Sequence, residues 1–94
     1  MSRAVVRIPT PLRPFTGGAD EVAVEGGTVG DALRDLARRH DGILQRVLDD
    51  AGEVRGFVNI YVGEHNIKSL GGLQAPLEET AIISIVPAVA GGAS

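Results

Sequence analysis

Thr28-Val29-Gly30-Asp31-Ala32-Leu33-Arg34-Asp35-Leu36-Ala37-Arg38-Arg39, residues 28–39, holds the clearest helix signal in the chain. Val29, Ala32, Leu33, Leu36 and Ala37 recur at helical spacing and form one apolar stripe. Thr28 is a good N-cap, and Asp31 three residues on completes a capping-box-like pair that suits the positive end of the helix dipole. Arg34, Arg38 and Arg39 lie off the stripe, and the last two favour the C-terminal end. Gly26-Gly27 precede the helix, and Asp41-Gly42 stops it, with Gly42 able to take the left-handed conformation. A single striped helix covers one face of one sheet and no more.

The sheet comes from the flanking segments. Ala4-Val5-Val6-Arg7-Ile8 reads as a first strand, with Val6 and Ile8 on one face and Val5 and Arg7 on the other. Pro9, Pro11 and Pro14 forbid regular structure, and Thr16-Gly17-Gly18 is a turn signal. Glu21-Val22-Ala23-Val24 returns as a second strand, making an antiparallel hairpin through a long loop. After the helix, Ile43–Leu48 reads as a short second helix and Asp49-Asp50-Ala51-Gly52 as a turn. Phe57-Val58-Asn59-Ile60-Tyr61-Val62 is a third strand, turning through Gly63-Glu64 into a short partner near Asn66-Ile67. Residues 69–77 form an irregular connection to a last strand, Ala81-Ile82-Ile83-Ser84-Ile85-Val86, and Pro87 limits further pairing to an edge. Right-handed crossover places the first strand beside the last, parallel, in mid-sheet. The expected class is α+β: a β-grasp, ubiquitin-like fold with a mixed sheet of four to five strands on one main helix. The domain should span residues 1–87, with residues 88–94 as a flexible tail.

At 94 residues there is room for one core and little room for a large ligand cavity. The chain has no Cys, which removes disulfides, thiolate metal sites and a cysteine nucleophile. A net charge of −3, with nine basic residues in no long block, argues against a nucleic-acid footprint. No apolar run approaches the ~20 residues of a membrane span. The N-terminus has no signal-peptide core, so a cytoplasmic location is expected. His40 and His65 lie far apart without a partner at ligand spacing, so no metal site is expected. The acid pairs Asp49-Asp50 and Glu78-Glu79 sit in turn-like surroundings, and Ser69 and Ser84 have no base at motif spacing. The glycine pairs do not reproduce a phosphate-cradling pattern. No catalytic site of the chain's own is visible. On the sheet face away from the helix, Phe57, Tyr61 and Val86 form a candidate partner patch. The alternative is that loops such as Thr10–Gly18 fold over them.

What remains is Pro87-Ala88-Val89-Ala90-Gly91-Gly92-Ala93-Ser94, small and uncharged. By itself this reads first as a frayed terminus, which is what most chain ends are. Together with the strand order and with Ile8-Pro9-Thr10, Leu12-Arg13-Pro14, Thr16-Gly17-Gly18 and Phe57–Val62, it resembles the ubiquitin-like sulfur carriers of the ThiS/MoaD superfamily, CysO-type carriers above all. The resemblance spans nearly the whole chain. It implies that an E1-like (ThiF/MoeB-type) adenylyltransferase spends ATP to make an acyl-adenylate of a C-terminal glycine. A sulfur donor then displaces AMP, and the resulting thiocarboxylate passes sulfur to an accepting synthase. No cofactor is bound by the carrier itself. Gly92 takes the reactive position, and Val89, Ala90 and Gly91 form the slender tail before it. Here Ala93-Ser94 follows and locks the Gly92 carboxyl in a peptide bond. The two residues are either an added remnant or a pro-segment removed between Gly92 and Ala93, as a metal-dependent peptidase does for similar carriers. The same resemblance leaves open a ubiquitin-like protein modifier and a non-covalent, MoaD-like binding subunit. The accepting pathway, cysteine, thio-sugar or another sulfur metabolite, is not encoded.

Overall fold

The computed structural model describes residues 3–87. Five strands form one mixed sheet: β1 (Arg3–Arg7), β2 (Glu21–Glu25), β3 (Val58–Val62), β4 (His65–Asn66) and β5 (Ala81–Pro87). Their order is β2-β1-β5-β3-β4. β1 and β5 pair in parallel with Ala4 opposite Ala81 and Arg7 opposite Ser84, and the other neighbours are antiparallel. This is the β-grasp arrangement that one striped helix and right-handed crossover require.

The main helix, α1 (Val29–Arg39), starts where expected: Thr28 is extended and its side chain accepts a hydrogen bond from the Asp31 amide. Val29, Ala32, Leu33 and Leu36 are fully buried against Val6, Val24, Ile60, Ile83 and Ile85. A second short helix, α2 (Leu44–Val47), seals one end with Ile43 and Val47. The helix gives out at Arg39, earlier than Gly42, because His40 is already extended; Gly42, at φ 87°, turns the chain towards α2. The start of α1 is also stapled to the loop before β5. The Val29 amide donates to the Ala75 carbonyl and the Leu77 amide to the Gly27 carbonyl, each at 3.0 Å.

The proline segment departs from expectation. Thr10–Thr16 is a 3₁₀ helix rather than an irregular loop. Pro9 ends in extended backbone at ψ 157°, and Pro11 sits in the first turn, where a missing N–H costs nothing. Buried Thr16 donates its hydroxyl to the Ala19 carbonyl at 2.8 Å and so closes the segment before β2. The connection after β4 likewise holds two 3₁₀ turns, Ile67–Ser69 and Gly72–Gln74. Strand ends shift by about one residue from the sequence reading. Pro87 does pair, opposite Val58, but pairing with β1 ends at Ser84, so this part of β5 has one neighbour and the absent donor is not missed.

Asp35 is a finding without a sequence expectation. It lies on α1 among buried side chains, and its Oδ2 accepts from the Glu25 amide and from Arg39 Nε, both at 2.9 Å. Oδ1 accepts from Arg38 at 3.1 Å. Arg38 and Arg39, expected to serve the helix dipole, thus also clamp a carboxylate that ties α1 to the end of β2. The Glu25 amide first, then the Arg39 guanidinium, hold this carboxyl below its ordinary value of 3.8.

Two predictions follow from this packing. A methyl at Gly26 would lie 2.6 Å from the Ala32 nitrogen and 2.9 Å from the Asp31 Cβ, whereas one at Gly27 would meet nothing within 4 Å. In urea titrations Gly26→Ala should lose about 1–3 kcal/mol, and Gly27→Ala should stay within about 0.5 kcal/mol of the parent. A lowered folded-state pKa stabilises fully above the unfolded value and fades as pH falls through the folded one. The urea midpoint should therefore drop on acidification below 3.8, and Asp35→Asn should flatten that part of the profile while lowering the midpoint at neutral pH.

Candidate functional site: the sheet end that carries the tail

β5 is the strand that leads to the tail. Ile83 and Ile85 point into the core and fix it, while Ile82, Ser84 and Val86 alternate onto the opposite face. Up to Ser84 the strand is held from both sides, by Arg7 of β1 and Tyr61 of β3. Val86 and Pro87 are held by β3 alone, opposite Asn59 and Val58. Pro87 therefore lies at a corner of the sheet where β1 has already finished. Gly92, Gly91, Ala90, Val89 and the Gly92–Ala93 junction, named from the sequence as the reactive and processing positions, lie outside the described residues, as does the expected flexible tail.

The three candidate docking residues are not equivalent. Phe57 is 54% exposed and Val86 43%, while Tyr61 is half-buried, flanked across the ladder by Ser84 and Asn66. Strict alternation would set Phe57 beside Asn59 and Tyr61. It precedes the first paired residue of β3, however, in a turn closed by the Val58 amide on the Arg55 carbonyl at 2.9 Å. Phe57 instead lines an open cleft of about 390 Å³ with Leu12, Arg46, Arg55, Ile85 and Pro87. Val86 is not part of that cleft, so the patch has two parts, one on each side of the last residues of β5. The Thr10–Thr16 segment turns its Leu12 and Phe15 towards the core and leaves Val86 about half exposed.

Ile82, 46% exposed and beside half-buried Val5, extends the outer apolar row away from the tail. The sequence carried the signal, since Ile82 alternates with Ile83 and Ile85. Leu70, also exposed, sits in a loop where no periodicity marks it. Among the described residues no group of three His, Cys, Asp or Glu could hold a metal ion. Asp49, one of the paired acids, spends its Oδ1 on the Ala51 and Glu53 amides of its own turn. Among the described residues no helix is long and apolar enough to cross a membrane.

The ThiS family model matches residues 6–92. The chain belongs to the ThiS family. Over 89 residues it is 42% identical to the sulfur carrier protein CysO of Mycobacterium tuberculosis, covering 93% of this chain and 96% of that protein. It is 37% identical over 68 residues to small archaeal modifier protein 3 of Haloferax volcanii, covering 72% and 73% of the two chains. Among solved structures, a chain of the Amycolatopsis orientalis BexX/CysO complex superposes with a TM-score of 0.89 at 38% identity, covering 95% of this chain and 99% of that one. The ThiS-family match ends at Gly92 and leaves out Ala93-Ser94. The β-grasp body of this ThiS-family chain is therefore shared with proteins named as carriers and modifiers.

If the outer row is surface rather than core, truncation should separate it from its neighbours. Ile83→Ala, at a fully buried position, should cost about 2–5 kcal/mol. Val86→Ala and Ile82→Ala should each cost under about 1 kcal/mol by thermal or urea unfolding.

Proposed function

We propose that this protein is a sulfur carrier whose reactive atom is the carboxyl carbon of Gly92, exposed once Ala93-Ser94 is removed. The single observation behind this reading is a family match that runs the length of the β-grasp and stops at Gly92. Hydrolysis of the Gly92–Ala93 bond by a metal-dependent peptidase yields a glycine carboxylate and releases the segment that begins at Ala93. A carboxylate is a poor electrophile because its charge is delocalised and its leaving group would be oxide. An E1-like, ThiF/MoeB-type adenylyltransferase overcomes this by joining the carboxylate to the AMP part of ATP and releasing pyrophosphate. Hydrosulfide, or sulfur relayed to the same oxidation level, then attacks the acyl carbon and expels AMP. The thiocarboxylate that results is a strong sulfur nucleophile tethered to a protein, ready for an accepting synthase.

The fold contributes the handle. Gly91 and Gly92 have no side chains, so a narrow adenylating site can close around the backbone. Phe57 and Val86, apolar and exposed on either side of Pro87, with Tyr61 behind, offer enzymes a surface at the root of the tail. The BexX/CysO complex supports the view that such carriers dock on a partner protein. The 42% identity to CysO favours cysteine biosynthesis among the candidate destinations. The likeness to small archaeal modifier protein 3 supports a second reading, in which the same activated Gly92 is attached to lysine amines.

Chains ending at Gly92 and at Ser94 should be incubated with ATP, sulfide and a ThiF/MoeB-type enzyme and weighed intact. The Gly92-ended chain should gain the mass of one oxygen-to-sulfur exchange, and the Ser94-ended chain should gain nothing. Exchange on the longer chain, or none on the shorter with any cognate enzyme, would overturn the proposal. Phe57→Ala should keep the fold and slow the exchange at limiting carrier.

A further inference from the structure

The cleft at the tail root has an unusual lining for this chain. The protein carries net charge −3, yet no carboxylate lines the cleft, and its two charged residues are Arg46 and Arg55. Among the described residues neither is ion-paired with an acid, in contrast to Arg3, Arg7, Arg34, Arg38 and Arg39. Arg46 rests its guanidinium 5.2 Å from the centre of the Phe15 ring. Arg55 is oriented by its Nε, which donates to the Gln45 carbonyl at 3.0 Å, leaving its terminal amino groups for another acceptor. Apart from Gln45 the remaining walls are apolar, Leu12, Phe57, Ile85 and Pro87 among them.

We infer that this cleft is a binding site for a slender apolar peptide ending in a carboxylate, and that its occupant is the chain's own segment Ala88–Gly92. The inference rests on the proposed removal of Ala93-Ser94, which gives that segment its terminal charge. Three observations select this occupant. Pro87, the residue that precedes the segment, is itself a wall of the cleft, so the segment begins at the site. Its side chains are one valine, two alanines and two glycines, small enough for a cleft of about 390 Å³ and with no charge to desolvate. Five residues extend to at most about 18 Å, a tether that keeps the effective concentration high and lets a weak contact form. A carboxylate or thiocarboxylate at Gly92 supplies the anion the two guanidiniums lack, as charge-assisted hydrogen bonds favour. Between enzymes, the reactive end is parked on its own body, and an enzyme that takes the tail must first lift it out.

Four chains ending at Gly92 test this: the carboxylate and the Gly92 amide, each with Arg46 and Arg55 intact or as R46Q/R55Q. The readouts are the NMR signals of the Leu12 and Ile85 methyls and the arginine Nε–H groups, and the titration of a ¹³C-labelled Gly92 carboxyl. With both arginines intact, changing carboxylate to amide should shift those signals. The Gly92 carboxyl should titrate roughly half a unit or more below its value in R46Q/R55Q, since a nearby cation favours the charged form. R46K/R55K, which keeps both charges, should retain most of the effect even if the glutamine variant proves unstable. Identical signals for carboxylate and amide, or identical titration in the parent and R46Q/R55Q, would sink the proposal. Shifts that grow with protein concentration would overturn it in favour of a second copy's tail. No activating enzyme is present, so failure of sulfur transfer and failure of docking remain distinguishable.

Discussion

The parallel ladder between Ala4–Arg7 and Ala81–Ser84 joins the two ends of the chain, and the rest of the molecule is arranged so that this ladder can form. Parallel neighbours demand a long crossover, and that crossover is α1 with everything between β2 and β5. The helix stripe needs a sheet wide enough to cover it, which the two hairpins β1–β2 and β3–β4 provide from opposite sides. Burial of Val6, Leu33, Leu36 and Ile83 in one layer follows from that closure. No pair of neighbouring segments could build this core alone, so the body is one cooperative unit despite its size.

Much of this was legible because the deciding signals are local and repetitive. The α1 stripe, the Thr28 cap and the alternation in β1, β3 and β5 each specify an element without knowledge of its neighbours. Other features escaped because they depend on what meets what. The proline segment became a 3₁₀ helix because its residues pack Leu12 and Phe15 against the core end. Asp35 carries no signal of its own in the sequence; only the approach of the Glu25 amide makes it a clamp. Counting along the strand places Phe57 on the outer face, and a turn before the first ladder pair brings it to the cleft instead.

The candidate site divides in the same way. Gly91 and Gly92 stand out in the sequence because little else at the end of the chain has a side chain of any size. The arginines of the cleft do not stand out, since Arg46 and Arg55 belong to a helix and a turn nine positions apart and meet only in three dimensions. A charge inversion of this kind, basic walls in an acidic protein, is a property of the fold and has no linear signature.

The way β5 is held bears on what happens when something grips the end of the chain. A tug along its axis is taken up by two ladders lying parallel to the pull, so many hydrogen bonds resist together in shear rather than opening one after another like a zip. The final residues, attached to β3 only, give way first and act as a short compliant leader ahead of a stiff anchor. A pull from beyond Pro87 thus strains first the two residues paired on one side only, and the body behind them stays intact.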